Sequence, residues 1–139
     1  MSESLQQRIE KIRTDVQAIL TVLGRRLIDP KRERPDQHLD LDSTHLQNAN
    51  LVDANMQHAF LEKANLQGAF LGRANLQGAL LIEANLQGAS LIKANLQDAG
   101  SLTPDQIRSA KSWERATFSD GLREALGLPP NDPVKEAPQ

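Results

Sequence analysis

Three histidines and one short polar cluster are the residues of this chain whose types could support catalysis or metal binding. The histidines fall in different contexts: His38 in a charged segment, His45 inside a repeated block and His58 at the end of another. We expect them to remain apart, which predicts neither a metal site nor a general base. Asp40 and Ser43 lie close to His45 in sequence, but the alternation of side chains along a strand gives the three no common face. Because the chain has no cysteine, disulfides and thiolate metal ligands are excluded.

Three glycines, Gly68, Gly78 and Gly88, recur at intervals of ten residues and do not cluster. A phosphate-binding loop or a dinucleotide fingerprint needs glycines within a few residues of one another. The even spacing instead predicts corner positions at which a type II turn requires a positive φ, whereas a corner such as Arg73 is expected to use another turn type. The sequence therefore predicts a protein that is not an enzyme and that holds no cofactor.

A period of five residues dominates the chain between positions 39 and 99. A leucine, once a methionine, occupies every fifth position from Leu41 to Leu96, and a small residue, usually alanine, lies two places before it. This period fits neither a helix of 3.6 residues per turn nor an uninterrupted alternating strand. It fits a short strand with two inward and two outward side chains, followed by a corner. One such unit is too short to bury its leucine alone, so the units must stack into a solenoid.

The blocks ANLQG at 64–68, 74–78 and 84–88 and the block AFLEK at 59–63 resemble the A(D/N)LXX consensus of pentapeptide-repeat proteins. The resemblance covers twelve consecutive blocks, residues 39–98. It implies a right-handed quadrilateral β-helix with four blocks per coil and about three coils. The segment from LTPDQ to LGLPP, residues 102–130, is similar to the ending of many cyanobacterial pentapeptide-repeat proteins, which implies a C-terminal helical cap.

Four segments follow from these patterns. Residues 1–38 are an amphipathic helix and a charged linker, and residues 39–102 are the repeat solenoid. Residues 103–128 are the helical cap, which should begin at a capping box on Thr103 and run through Ile107, Ala110 and Trp113. Residues 129–139, with four prolines, are expected to be disordered.

The N-terminal helix is predicted by apolar residues at alternating spacings of four and three. The stripe consists of Leu5, Ile9, Ile12, Val16, Ile19 and Leu23. It could dock on the solenoid of the same chain, or it could form the seam of a coiled-coil homodimer. The segment lacks the uninterrupted apolar run of a signal peptide, and no stretch approaches the ~20 apolar residues of a membrane span. We therefore expect a soluble, cytoplasmic protein.

Outward side chains should form columns, because four blocks per coil stack residues that are twenty positions apart. Two opposite faces carry columns of asparagine and glutamine, which predict hydrogen-bonded amide ladders. The other two faces carry outward apolar residues, and contiguous apolar patches usually mark interfaces unless the chain covers them itself. The candidate interaction surface is Phe60, Leu80 and Ile82 on one face and Phe70, Val52 and Ile92 on the other.

These faces predict a protein–protein interaction module whose partner the sequence does not identify. The resemblance also implies a rival function, since some members of the family mimic DNA and bind gyrase. That function needs rows of carboxylates, whereas residues 39–99 hold six acids against three bases. The net charge of the whole chain, −2, likewise disfavours nucleic acid as a partner. A purely structural role is the third alternative.

Deleting residues 1–24 should distinguish the two alternatives for the N-terminal helix. An isolated helix of this length is marginal in water, so its stripe needs an apolar partner. If the helix covers the solenoid, the truncated protein should self-associate. If the stripe is a dimer seam, the same deletion should convert a dimer into a monomer. Light scattering measures both outcomes, and a monomeric truncation with an unchanged melting temperature would contradict docking.

Overall fold

Parallel pairing of residues twenty positions apart organises the backbone. A computed structural model of the chain describes residues 4–8 and 38–130. Along one face, bridges join Asp40 to Phe60, Phe60 to Leu80 and Leu80 to Gly100. The other three faces repeat the same offset of twenty. This register confirms the predicted stack, in which four five-residue blocks complete one coil.

Backbone hydrogen bonds between coils run in both directions within each block. In the block that begins at Ala49, the Leu51 N–H donates to the carbonyl of Phe70 at 2.8 Å. The Asp53 N–H donates to Gly72 at 3.0 Å, and the Phe70 N–H donates back to Ala49 at 2.9 Å. A single coil would leave all of these groups unpaired, so the coils are stable only as a stack.

All corners of the repeat region adopt one turn type. At Leu51–Ala54, the Ala54 N–H donates to the Leu51 carbonyl at 3.1 Å, and the third residue, Asp53, has a φ of 60°. An i to i+3 hydrogen bond with a positive φ at the third position alone is a type II turn. Arg73, with a φ of 55°, has the same left-handed conformation as Gly78, with a φ of 69°. The expectation that Arg73 would use a different turn is therefore wrong.

The core consists of the leucine and alanine columns. Leu61, Leu66, Leu71 and Leu76 are fully buried, and Met56, which replaces leucine in its column, is buried as well. The described residues include no buried polar or charged side chain. The tight corners leave room inside each coil only for the alternation of one large and one small residue, which explains the strict five-residue period.

Regular secondary structure is short and concentrated after the last repeats. Strand β1 (Asn95–Leu96) pairs in parallel with β2 (Thr117–Phe118). Between them lie helix α1 (Pro104–Arg108) and a 3₁₀ helix (Trp113–Arg115), and helix α2 (Asp120–Ala125) follows β2. None of the helices in the described part of the chain is long and apolar enough to cross a membrane.

Helix α1 begins at the predicted capping box. The Gln106 N–H donates to the Thr103 hydroxyl at 3.2 Å, and the Thr103 N–H donates to the Gln106 side chain at 2.9 Å. The Gln106 amide also donates to the carbonyls of Leu81 and Ala84, both at 3.0 Å. The helix ends at Arg108, so Ala110 and Trp113 lie beyond it, contrary to expectation.

After α1 the chain continues the backbone ladder. The Gly88 N–H donates to Ser109 at 2.8 Å, and Lys111 pairs with Ser90 at an offset of twenty-one. Thr117 then pairs with Asn95 at an offset of twenty-two, because the irregular residues lengthen this coil. Phe118 is fully buried at the end of the core, a role that its isolated position in the sequence did not indicate.

The N-terminal stripe is described only at its beginning. Residues 5–8 are helical, and the Leu5 side chain is 74% exposed. The rest of the stripe, from Ile9 to Leu23, lies outside the described residues, as do residues 131–139 of the tail. Whether the stripe docks or forms a dimer seam stays a prediction.

Replacing Leu76 tests the core. Leu76→Ala should lower the free energy of unfolding by about 2–5 kcal/mol, because it leaves a cavity in a packed column. Leu76→Asp should prevent folding, since it buries a charge with no polar partner. Urea denaturation measures both, with Gln87→Ala as an exposed control in the next coil. A Leu76→Asp protein that unfolds like the wild type would contradict this register.

Candidate interaction surfaces

The outward apolar residues lie on two opposite faces of the stack, because their blocks are two positions apart in a coil of four. We call the face of blocks 39–43, 59–63 and 79–83 the Phe60 face. The face of blocks 49–53, 69–73 and 89–93 is the Phe70 face. Both have two outward columns, one formed by the second residue of each block and one by the fourth.

On the Phe60 face, the apolar column is partly covered. The His38 ring meets the Phe60 ring edge-on with 5.4 Å between centroids, and Phe60 and Ile82 are half-buried. Leu80 is 36% exposed and leans over Gly100, where a Cβ would lie 2.6 Å from its Cδ2 atom. The upper part of this face is therefore the more accessible part.

His38 also contacts His58, with 6.0 Å between the ring centroids. The expectation that the histidines remain apart is wrong for this pair. His58 is a corner residue of the first coil, and the fold places this corner beside His38, which immediately precedes the first block. His58 in turn lies over Gly78, where a Cβ would overlap its Nδ1 atom. No group of three or more potential metal ligands occurs within residues 4–8 and 38–130.

The Phe70 face presents its apolar side chains more openly. Phe70 is 53% exposed and Val52 is 38% exposed, while Ile92 is half-buried. Val52 in the coil below and Ile92 in the coil above both approach Gly72, where a Cβ would lie 3.9 Å from Val52 Cγ2 and 3.3 Å from Ile92 Cγ2. Because Gly72 has no side chain, these two apolar residues line the same part of the face beside Phe70.

Charged pairs occupy two of the corner columns. Arg73 binds Asp53 through two nitrogens, at 2.7 and 2.8 Å. This hydrogen bond, together with the carboxylate charge, raises the pKa of Arg73. Lys63 lies 4.0 Å from Glu83 and 3.6 Å from Glu62. The corner acids Asp53 and Glu83 are therefore each matched by a base of a neighbouring coil.

Asparagine and aspartate in the second-position columns accept a backbone hydrogen bond. The Asn50 side chain accepts from the Val52 N–H at 3.2 Å, and Asn85 accepts from Gln87 at 3.0 Å. Between stacked amides there are only two long contacts, Gln57 to Gln77 at 3.4 Å and Asn95 to Asn75 at 3.5 Å, so the predicted ladders are the weaker interaction. Seven side chains accept in this way: Asp40, Asn50, Asn55, Asn65, Asn75, Asn85 and Asn95.

The apolar faces lack this acceptor at three blocks. Where Phe70, Leu80 and Ser90 replace asparagine, the backbone N–H groups two residues later have no acceptor among residues 4–8 and 38–130. These donors belong to Gly72, Ile82 and Ile92. Each block forgoes a hydrogen bond worth about 0.5–1.5 kcal/mol. Sequence reasoning missed this signal, although the departures of residues 70, 80 and 90 from asparagine or aspartate were visible.

Comparison with known proteins agrees with this geometry. Residues 37–68 and 71–99 match the family model for pentapeptide repeats, with eight copies. The chain is a pentapeptide-repeat protein. No curated protein matches the chain.

Two solved structures are similar to this pentapeptide-repeat protein. One is the pentapeptide-repeat protein Rfr23 from the cyanobacterium Cyanothece 51142, at 26% identity over 58% of this chain and 53% of that chain, with a TM-score of 0.36. The other is a pentapeptide-repeat protein of the Arabidopsis thaliana thylakoid lumen, at 24% identity over 60% of each chain, with a TM-score of 0.23. The chain thus matches between half and two thirds of the length of these proteins.

Gly78→Ala and Gly88→Ala form a matched test of the corners. Both glycines have nearly the same positive φ, 69° and 67°, but only Gly78 lies under a neighbouring side chain. Gly88→Ala should cost about 1–2 kcal/mol from backbone conformation alone. Gly78→Ala should cost roughly 1 kcal/mol more, because the His58 ring must leave its rotamer. Urea denaturation measures the free energy of unfolding of both single variants, and the difference between their costs is the effect of the His58 contact. When His58 is also replaced by alanine, Gly78→Ala should cost no more than Gly88→Ala. Equal costs for the two single changes would contradict the His58 contact.

Proposed function

We propose that this pentapeptide-repeat protein is a non-enzymatic interaction module that docks onto a partner protein through its flat apolar faces. We infer further that the stack is a right-handed quadrilateral β-helix of about three coils, and that residues 103–128 close its C-terminal end as a helical cap. Members of this family are generally non-catalytic.

The observation that carries the proposal is the loss of backbone acceptors beneath exposed apolar residues. Asparagine at positions 70 and 80 would close a hydrogen bond, as asparagine does at Asn75 and Asn85. The chain instead has Phe70 and Leu80 there, both exposed. Phe70 still leaves about half of its surface, and Leu80 about a third, exposed within this fold, and a partner protein would bury this remaining apolar surface.

The two alternatives from the sequence receive less support. A DNA mimic needs carboxylates in the second-position columns, but the repeats hold asparagine at six of these positions and aspartate at one, Asp40. A purely structural role gives no reason for exposed Phe70 and Leu80. A cytoplasmic location and a homodimer remain predictions.

Replacing the exposed apolar residues with asparagine tests the interaction function. Phe70→Asn, Leu80→Asn and the double variant should remain folded with melting temperatures close to that of the wild type, since each gains an acceptor for the Gly72 or Ile82 N–H. Affinity capture from an extract of the native cell, followed by mass spectrometry, should recover a partner with the wild type and lose it with at least one variant.

Gln67→Ser, an exposed change on an amide face, is the matched control and should retain the partner. Equal recovery by the wild type and all three variants would contradict the assignment of these faces. A wild-type protein that captures no partner reproducibly would favour the purely structural role.

A further inference from the structure

We propose that the Phe70 face binds an extended acidic segment of a partner protein, anchored by an apolar side chain of that segment. The inference rests on the proposed interaction function and adds to it the chemistry of the partner. Three features of the Phe70 face lead to it: the unpaired basic residues Lys93 and Lys111, the backbone donor of Ile92 and the size of the face.

The basic residues surround the apolar patch. Arg73 and Lys93 occupy the same corner in successive coils. Lys111 lies above Ser90 and pairs with it as the next rung of the same face. The one acid at this corner, Asp53, is already bound by Arg73. Lys93 and Lys111 form no ion pair with the described residues and are exposed. The rim of the patch therefore carries a positive charge that a carboxylate of a partner could match.

The backbone donors lie within the patch itself. The N–H of Ile92 has no acceptor among the described residues, and Ile92 is only half-buried. The N–H of Gly72, at the equivalent position about 4.8 Å away in the coil below, also has no acceptor, but Gly72 is buried and a ligand cannot reach it. The two bases and the Ile92 N–H are all donors. A matching ligand must supply acceptors, either backbone carbonyls of an extended chain or side-chain carboxylates.

The size of the face favours a short segment over a second copy of the chain. Four strand residues by three coils cover about 200 Å², whereas a stable interface needs about 800 Å² per partner. The side chains of Val52 and Ile92 flank Gly72 beside Phe70, and one apolar anchor of the segment can pack against these three residues. Such a contact predicts modest affinity and a strong dependence on ionic strength.

The opposite face provides an internal comparison. The outward and corner positions of the Phe60 face carry Asp40, Asp42, Glu62 and Glu83 against the single base Lys63, and the His38 ring partly covers Phe60. Although Ile82 also has a free N–H, this face should repel an acidic segment. The two faces are therefore predicted to differ in the charge of the ligand that they accept.

Fluorescence anisotropy with labelled peptides tests the proposal on the full chain. The probe is a short peptide of Glu and Asp around a central Leu-Phe pair. One comparison peptide replaces every acid with Lys, and another replaces the Leu-Phe pair with Ser. The acidic apolar peptide should bind most tightly, and its affinity should fall with added salt. Phe70→Asn and the double variant Lys93→Glu/Lys111→Glu should each weaken binding about tenfold, equivalent to about 1.4 kcal/mol.

Lys63→Glu on the Phe60 face is the matched control and should leave binding unchanged. Glutamate is tolerated at the backbone conformation of Lys93, since Glu83 occupies an equivalent corner, and circular dichroism verifies the fold of each variant. Binding of the lysine peptide as tightly as the acidic one, or equal weakening by Lys63→Glu, would overturn the proposal. If no peptide binds but the wild type captures a partner through Phe70, the acidic ligand is wrong and the interaction function stands. If both experiments fail, both proposals fall.

Discussion

The requirement that the chain close one coil in twenty residues governs the structure. Only with that closure do residues such as Leu51 and Leu71 meet the carbonyls of Phe70 and Ser90 at 2.8 and 2.9 Å. Closure needs a left-handed residue at every corner, and nine of the twelve corners supply it without glycine. A left-handed non-glycine residue costs about 1–2 kcal/mol, so burial of the leucine column and the ladder of hydrogen bonds must offset many small strains. The stack is therefore stable as a whole, while no single coil is.

Closure also fixes what the outer surface can do. The second residue of each block always points outward, and an asparagine there accepts the N–H two residues later, as Asn50 does for Val52. A residue that cannot accept leaves that donor open. The amide faces are satisfied in this way except at Gln47, whose N–H has no acceptor among the described residues, whereas the apolar faces leave the N–H groups of Gly72, Ile82 and Ile92 without one. The Phe70 face combines such a donor at Ile92 with exposed apolar side chains, which is why that face is the stronger candidate for recognition.

The C-terminal segment shows how the ladder ends. Lys111 and Thr117 extend the pairing at offsets of twenty-one and twenty-two, and the Gln106 side chain supplies donors to two carbonyls of the last full coil. Phe118 fills the space that another leucine would occupy. Irregular residues can thus satisfy an edge that the repeat leaves open, and this protects it from pairing with other chains.

The sequence by itself determined the register, the core and the pairs that follow from them. The burial of Leu76, the ion pair of Asp53 with Arg73 and the capping box at Thr103 depend only on periodicity or on local spacing, so they could be predicted. The tertiary structure decided the rest. The left-handed conformation of Arg73 is imposed by coil closure against its own preference, and the contact of His38 with His58 depends on where the chain enters. Only the tertiary structure decides that the N–H groups of Gly72 and Ile92 find no acceptor among the described residues, because the sequence specifies which groups exist but not which of them find partners.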